Sequence, residues 1–237
     1  MLFLSMAKHI GIVACSAEGA ALCYQTICKE GAAIMGRHAH PEISMHNHPL
    51  SEYMKHIYLG DWKGVAGLMI SSAKKLEKAG ADLLICPDNT IHQAIDMVKK
   101  ESQLPWLHIA EEVVKIGLLS GFKRMGILGT KYLMTGPVYQ NVMRKAEMDF
   151  VIPDEVTRNQ IDQIIFNELV YGEVKAASRR FFLEVVAWMK KERCDAVVLG
   201  CTEIPLVVLP EESSLPVLDS TRILAKAALR ETVTGDQ

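Results

Sequence analysis

An internal repeat limits the folds that this chain can adopt. Four segments carry the repeat: IGIVAC at 10–15, GADLLICPDNT at 80–90, MGILGT at 125–130 and CDAVVLGCTE at 194–203. In each half, one apolar strand ends in small residues and a later apolar strand ends in a polar cluster. The offset from Gly11 to Asp88 is 77 residues, and that from Gly126 to Cys201 is 75. The chain is therefore predicted to contain two equivalent halves.

The pattern of strands and helices predicts an α/β fold with two pseudo-symmetric, doubly wound parallel sheets. Strands are predicted at 9–14, 42–45, 82–86, 107–109, 125–128, 150–152, 196–199 and 216–218. Helices are predicted at 17–29, 68–79, 92–98, from 109 through 119, and at 138–146, 160–170, 176–191 and 220–229. The predicted first half is 1–119 and the second is 120–219, with 220–237 a candidate to pack back on the first. In such sheets ligands bind beyond the carboxyl ends of the strands, here in a predicted cleft between the halves.

Composition excludes several classes of function. The net charge of −2 gives no basic footprint for nucleic acid. No apolar run approaches the roughly 20 residues that span a bilayer. The six cysteines lie in apolar patterns without a spaced framework, which indicates thiols in a reducing cytoplasm. The four histidines between 38 and 48 match no usual zinc spacing, and no nucleotide or pyridoxal-phosphate motif is present, so neither metal nor cofactor is predicted.

Two residues are the strongest candidates for chemistry. Cys201 follows Gly200 at the end of an apolar strand, where backbone N–H groups stabilise a thiolate. The alternative is a small buried cysteine of the core. Asp88 occupies the corresponding strand end in the first half and is suited to proton transfer. Its alternative is a turn or helix-capping residue.

Small polar side chains surround these candidates in both halves. Their hydroxyl, thiol and amide groups, with nearby turn N–H groups, suit a substrate carboxylate. Each of these residues alone is typical of a helix cap or a core position. Their symmetric occurrence in both halves is what makes them candidates for substrate binding. The candidate substrate-binding residues of this kind are Cys15, Ser16, Asn89, Thr90, Thr130 and Thr202.

Several motifs resemble those of the cofactor-independent aspartate/glutamate racemases. LGCTEIPLVV at 199–208 is similar to the second catalytic motif of that family, and CPDNTIH at 86–92 resembles the first, usually written P-C-N-T-x-H. Segments 123–134, 168–179 and 216–225 also resemble family segments, so the resemblance covers nearly the whole chain.

The resemblance implies two similar domains around a small amino acid, without a cofactor, in a homodimer. One cysteine thiolate removes the α-proton and a second thiol returns a proton from the other face. Threonine and asparagine side chains hold the α-carboxylate. Racemases of acidic amino acids also pair the distal carboxylate with a cation. The first half has His46, Asn47 and His48 where such a group is expected, and Lys175 and Arg179 are the remaining cations in the second half; His48 and Lys175 are the predicted contacts.

The sequence departs from the family pattern in the first half. Asp88 stands where the family has its first cysteine, and Ala14-Cys15 replaces a glycine pair. Three interpretations stay open: Asp88 replaces the thiol, Cys15 or Cys86 supplies it, or Cys201 acts alone.

These interpretations give three expectations for function. The first is a racemase or epimerase of a carboxylate-bearing amino acid that uses Cys201 and Asp88. The second is a one-cysteine decarboxylase or cis–trans isomerase of a small dicarboxylate. The third is a catalytically inactive protein that binds carboxylates.

Overall fold

Strands alternate with helices through residues 7–233, which are the residues that the computed structural model describes. All strand pairing is parallel, and it forms two separate sheets. The chain divides into two compact units, the first comprising 7–109 with 221–233 and the second comprising 110–220. The predicted α/β class with two parallel sheets is confirmed.

The first unit contains a three-stranded sheet in the order β2-β1-β3. Every residue of β1 is buried, as expected for a central parallel strand covered on both faces. The strands are β1 (Ile10–Ala14), β2 (Ile43–Asn47) and β3 (Leu83–Ile85). The helices are α1 (Ala17–Met35), α2 (Leu50–Leu59), α3 (Trp62–Lys78) and α4 (Ile95–Glu101), with a 3-10 helix at Thr90–Ala94.

The second unit contains a four-stranded sheet in the order β5-β4-β6-β7. Its first three strands repeat the order of the first sheet, which is the repeat seen in the sequence. The strands are β4 (Arg124–Leu128), β5 (Asp149–Val151), β6 (Ala196–Leu199) and β7 (Val217–Asp219). The helices are α5 (Ile109–Leu119), α6 (Lys131–Thr135), α7 (Pro137–Lys145), α8 (Glu155–Asn167) and α9 (Ala176–Lys191), with 3-10 helices at Leu169–Tyr171 and Ile204–Leu206.

The closing helix α10 (Ser220–Val233) belongs mainly to the first unit. Leu224, Ala225 and Ala228 are buried in one core with Ile10 and Ile12 of β1. The first unit is therefore assembled from both ends of the described chain.

The division between units lies ten residues before the predicted boundary at 119/120. The reason is the packing of α5, which the sequence assigned to the first half. A Cβ atom at Gly117 would lie 3.0 Å from the Met125 sulfur and 3.3 Å from the Met148 methyl group. The side of α5 that carries Gly117 thus packs closely against the rest of the second unit.

The structure departs from the predicted secondary structure at one strand and two helices. Residues 107–109 form no strand: a single parallel bridge joins Leu84 to Trp106, and α5 begins at Ile109. Helices α2 and α6 were not predicted. Helix α6 is capped by Thr130 but has only five residues, too few to show an apolar period, and α2 begins after Pro49 without a side-chain cap.

Within residues 7–233, no helix combines the length and the apolar character needed to cross a membrane. The six cysteines all lie in this range, and no disulfide joins them.

Candidate functional site

The register of the first sheet aligns three predicted site residues. Ala14 pairs with Asn47, and Ile12 pairs with Ile85. Continuing these registers past the strand ends sets Cys15 level with both His48 and Asp88. The carboxyl edge of the first sheet therefore collects a thiol, an imidazole and a carboxyl group.

The turn that carries Asp88 is held by a buried histidine. His92 Nδ1 lies 2.7 Å from the Asp88 carbonyl oxygen, which can only accept, so Nδ1 carries the proton. The Ile109 amide then donates to Nε2 at 3.3 Å. Burial lowers the pKa of His92 to about 4, so the ring is neutral near pH 7. No side chain caps the 3-10 helix that follows, which begins with Asn89 as N-cap residue.

The other predicted residues of this edge differ in exposure. Cys15 and Asn89 are buried, whereas Ser16, Asp88 and Thr90 are partly exposed. The Ser16 hydroxyl accepts a hydrogen bond from the Gly19 amide at 3.2 Å and so caps α1. The Ser16 proton is not used in that bond. The N-terminus of a 19-residue helix also lies at this edge, which favours an anion there.

His48 belongs to a network with α3 and does not stand alone. His48 Nε2 lies 3.1 Å from the Ser71 hydroxyl, and His46 Nδ1 lies 2.9 Å from the Ser72 hydroxyl. Lys75 Nζ lies 2.8 Å from His46 Nε2. Burial, with Lys75 nearby, lowers the pKa of both histidines. His48 is therefore a neutral ring near pH 7, which makes it a hydrogen-bonding group and a poor cation for a distal carboxylate.

The Cys86 thiol is unsuited to proton transfer at this edge. Cys86 is fully buried, and its sulfur lies 3.9 Å from the Asp88 carbonyl oxygen. Burial first, and then the Asp88 charge, raise the pKa of the Cys86 thiol well above its usual range. The thiol stays protonated, which disfavours the interpretation that Cys86 replaces the missing family cysteine.

Two glycines bring the strand ends of the second sheet together. The Gly200 amide donates to the Leu128 carbonyl at 2.7 Å. A Cβ atom at Gly200 would lie 3.0 Å from that carbonyl oxygen, and one at Gly129 would lie 3.3 Å from the Gly200 oxygen. Leu128 pairs with Leu199, and the same register continued past the strands sets Thr130 level with Cys201.

Cys201 lies against a carboxyl group at this second edge. The Cys201 thiol donates to Glu203 Oε2 at 2.8 Å. Cys201 is partly exposed, while Glu203 is only 4% exposed. A carboxyl group in hydrogen-bond contact with a partly exposed thiol has the geometry of a general base for that thiol.

Glu203 belongs to the polar cluster that ends segment 194–203, but the sequence does not predict it as a site residue. The turn after β6 folds the Glu203 side chain back onto the Cys201 thiol.

Thr130 is buried, and its hydroxyl caps α6 by accepting from the Leu133 amide at 3.2 Å. Thr202 is partly exposed beside Cys201.

Lys175, the other predicted cation, is paired with two carboxylates. Its ammonium lies 3.4 Å from Glu168 Oε1 and 3.6 Å from Glu173 Oε2, and its side chain is 56% exposed. Arg179 pairs with Glu212 at 2.7 Å. To bind a distal carboxylate, Lys175 would have to exchange partners.

Among the described residues, no group of three His, Cys, Asp or Glu side chains is arranged to hold a metal ion.

Comparison with known proteins identifies the family. The model of the Asp/Glu/Hydantoin racemase family matches residues 10–228. The chain belongs to this family. A curated relative, the broad specificity amino-acid racemase RacX of Bacillus subtilis, is 26% identical over 163 residues, covering 68% of this chain and 69% of that protein.

Solved structures of Asp/Glu racemase relatives share the fold. One from Yersinia pestis, classed with the Asp/Glu racemases, has a TM-score of 0.89 at 29% identity and covers 96% of this chain and 100% of its own. An aspartate racemase homologue from Pyrococcus horikoshii has a TM-score of 0.82 at 27% identity, covering 94% and 98%. An arylmalonate decarboxylase mutant, 13% identical with a TM-score of 0.58 over 97% and 95% of the chains, shares the fold alone.

Proposed function

We propose that this protein is a cofactor-independent racemase or epimerase of an amino acid that carries a carboxylate side chain. The observation that carries the proposal is the Cys201 thiol at the carboxyl end of β6, 2.8 Å from the buried Glu203 carboxyl group. Membership of the Asp/Glu/Hydantoin racemase family and the similarity to a broad specificity amino-acid racemase support it.

The proposed reaction moves one proton off the α-carbon and one onto it. Glu203 accepts the thiol proton of Cys201, and the thiolate then takes the α-proton, leaving a carbanion-like centre beside the α-carboxylate. A second acid returns a proton to the opposite face of that carbon, which inverts it. In the reverse direction the two groups exchange roles, so each must work as acid and as base.

We assign the second role to Asp88. Its carboxyl group is partly exposed at the carboxyl edge of the first sheet, and His92 anchors its backbone. The donors Asn89, Thr90, Thr130 and Thr202 are proposed to bind the α-carboxylate and so to stabilise the charge that develops on it. Lys175, after leaving its glutamates, is proposed as the partner of the distal carboxylate.

The test is proton NMR in D2O with L-aspartate, L-glutamate and a panel of other L-amino acids. The wild-type protein is expected to remove the α-proton signal and to form the D-isomer. Cys201→Ser is expected to lower the rate by at least about 10³-fold, because a hydroxyl is a far weaker acid than a thiol. Cys86→Ser serves as the matched control and should keep the activity within a few-fold. Exchange that persists at the wild-type rate in Cys201→Ser would overturn the proposal.

Asp88→Asn separates two-base from one-base chemistry. Loss of D-isomer with residual exchange would assign Asp88 the return of the proton.

The presence of Asp88 in place of a cysteine also favours a second candidate, a one-cysteine decarboxylase or isomerase. Release of CO2 from substituted malonates, or isomerisation of maleate, with no amino-acid exchange would establish that candidate. Binding of carboxylates without any turnover would instead indicate an inactive binding protein.

A further inference from the structure

A buried acid on α8 contacts a turn at the carboxyl edge of the second sheet. Asp162 is buried on α8 together with Ile161, Ile164 and Ile165. A carboxylate in such a place costs free energy unless hydrogen bonds or a cation compensate for it. Aspartate is also a weak helix former. Neither the apolar side of α8 nor its helix propensity accounts for Asp162, so its role lies in what it contacts.

Asp162 contacts the residue that follows Thr130. Its Oδ1 accepts a hydrogen bond from the Lys131 amide at 3.0 Å, and its Oδ2 lies 3.5 Å from the Lys131 ammonium. The ammonium compensates for the buried charge, and the amide hydrogen bond fixes the peptide group between Thr130 and Lys131. The Lys131 side chain is 43% exposed, so water weakens the ion pair and the amide bond is the firmer constraint.

The contacts between β4 and β6 end one residue before Thr130. The Gly200 amide donates to the Leu128 carbonyl at 2.7 Å, and a Cβ atom at Gly129 would lie 3.3 Å from the Gly200 oxygen. Thr130 is the next residue, level with Cys201 in the continued register. The sheet therefore fixes Gly129, whereas the position of Thr130 depends on contacts outside the sheet.

The hydrogen bonds of Thr130 within α6 do not supply such a contact. Its hydroxyl accepts from the Leu133 amide at 3.2 Å, and its carbonyl accepts from the Met134 amide at 3.0 Å. These bonds lie inside the first turn of a five-residue helix and move with that helix. The bond from the Lys131 amide to Asp162, in contrast, joins the start of α6 to the longer helix α8.

We propose that Asp162 is a positioning residue that holds the Thr130 hydroxyl where it binds the α-carboxylate of the substrate. The identity of the substrate and the role of Thr130 rest on the proposed function. Asp162 acts through the Lys131 amide and does not itself touch the substrate. Without this acceptor the start of α6 can shift, and a displacement of about 1 Å in a substrate-binding group lowers the rate by up to about 100-fold. Neither Asp162 nor Lys131 was among the residues predicted from the sequence.

The test compares Asp162→Ala, which removes the acceptor, with Asp162→Asn, which keeps an oxygen for the Lys131 amide. The measurements are kcat and KM with the amino acid that exchanges fastest. Asp162→Ala is expected to lower kcat/KM by about 10- to 100-fold, and Asp162→Asn should stay within a few-fold of the wild type. If Asp162→Ala does not fold, Asp162→Ser replaces it with the same expectation, because the serine oxygen is set back by one bond. Unchanged kcat/KM without the acceptor, or equal losses with and without it, would overturn the proposal.

The matched control is Asp154→Ala at the start of the same helix. Asp154 also accepts a hydrogen bond from a backbone amide, that of Thr157 at 2.8 Å. Its loss should lower the melting temperature, as expected for a helix cap, and leave kcat/KM unchanged. A loss of kcat/KM in Asp154→Ala as large as that in Asp162→Ala would show that general destabilisation of α8 causes both effects.

A double-mutant cycle with Thr130→Val tests whether Asp162 acts through Thr130. Once the Thr130 hydroxyl is absent, Asp162→Ala should lower kcat/KM by no more than a further two- to threefold, because the group that it positions is gone. Losses that multiply in the double variant would contradict this route and make Asp162 a general structural residue.

Two further measurements distinguish failure of this proposal from failure of the proposed function. Hydrogen exchange of the Lys131 amide, followed by NMR, should be at least about tenfold faster in Asp162→Ala than in the wild type and Asp162→Asn. Calorimetric titration of succinate, a dicarboxylate without an amino group, should show about tenfold weaker binding to Asp162→Ala. Both results with no amino-acid exchange would sink the racemase proposal and keep the role of Asp162. If either quantity is unchanged, that role is wrong even if the enzyme racemises. If the wild type binds neither succinate nor any amino acid, both proposals fail.

Discussion

At the residue scale, the thiols of Cys86 and Cys201 differ in their suitability for proton transfer. Cys86 is fully buried at the end of β3, and burial keeps it protonated. Cys201 is partly exposed, and its thiol donates to Glu203. Both follow an apolar strand in the sequence, so strand position alone does not separate them. The local environment of each sulfur is what favours Cys201 as the reactive thiol.

Replacing the acid beside Cys201 should slow catalysis while the fold remains. Glu203→Gln keeps the size of the side chain but removes a proton acceptor, so kcat is expected to fall by about 10²-fold, typical for loss of a general base. The acidic limb of the pH profile of kcat should disappear or move toward higher pH, because the Cys201 thiol must then ionise without a neighbouring base.

The control for Glu203→Gln is Glu211→Gln, whose side chain is exposed. It should leave kcat and the pH profile unchanged. A Glu203→Gln enzyme with normal kcat would show that Glu203 only positions the turn.

A buried histidine should make the first unit sensitive to acid. Burial lowers the pKa of His92 from 6.5 to about 4. The unfolded chain therefore takes up this proton below about pH 6.5, whereas the folded chain takes it up only below about pH 4. The contribution of neutral His92 to the free energy of unfolding is fully present above pH 6.5. It falls progressively toward pH 4, by up to about 3 kcal/mol for this shift.

The check on His92 is the free energy of unfolding in urea between pH 7.5 and 4. His92→Gln should be less stable than the wild type at pH 7.5 and should lose less stability on acidification. His40→Gln, at an exposed histidine, should follow the wild-type curve. Parallel curves for the wild type and His92→Gln would contradict the assignment.

At the element scale, the sequence predicted well those helices and strands whose apolar pattern is long or follows the repeat. Helix α9 and strand β6 have the predicted bounds, because a buried stripe or a wholly apolar run decides them locally. The predicted strand at 107–109 failed because its neighbour β3 is only three residues long and offers one bridge. The strand with which residues 107–109 would pair is distant in the sequence, so the local pattern does not show how much of it is available for pairing.

The candidate site was predictable in part for the same reason. Cys201, Thr130 and Asp88 end strands, so the strand pattern locates them. Glu203 reaches Cys201 through a turn that exists only in the folded chain, so the strand pattern does not identify it. The pairing of Lys175 with Glu168 and Glu173 likewise depends on how the loop before α9 folds.

The close approach of the ends of β4 and β6 should be sensitive to a single methyl group. Gly200→Ala would place its Cβ 3.0 Å from the Leu128 carbonyl oxygen and against the Leu133 side chain. We expect a loss of about 1–3 kcal/mol in stability, as for overpacking, and a lower kcat because Cys201 is displaced.

The matched control is Gly67→Ala on α3, where a Cβ meets no atom within 4 Å. It should stabilise the protein by about 0.5–1 kcal/mol, because alanine is the better helix former. Urea unfolding of both variants measures the difference. A Gly200→Ala protein as stable and active as the wild type would contradict the packing argument.

At the scale of the whole molecule, the two units differ in how the chain builds them. The second unit, 110–220, is one continuous segment with its own core of α8, α9 and β6 residues. The first unit needs the closing helix, because Leu224, Ala225 and Ala228 complete its core. The repeat in the sequence predicts two similar sheets, but only the first unit combines segments from both ends of the described chain.

This difference predicts unequal behaviour of isolated fragments. A fragment of residues 110–220 should unfold cooperatively in urea, because all the strands of its sheet and its core lie within it. A fragment of residues 1–109 should lack a cooperative transition, since it exposes the apolar surface of β1 and α1 that α10 covers. Adding a peptide of residues 219–237 should restore structure to it, visible as a gain of helical circular dichroism beyond the sum of the two parts. Cooperative unfolding of 1–109 alone, unaffected by the peptide, would show that the closing helix is dispensable for the first core.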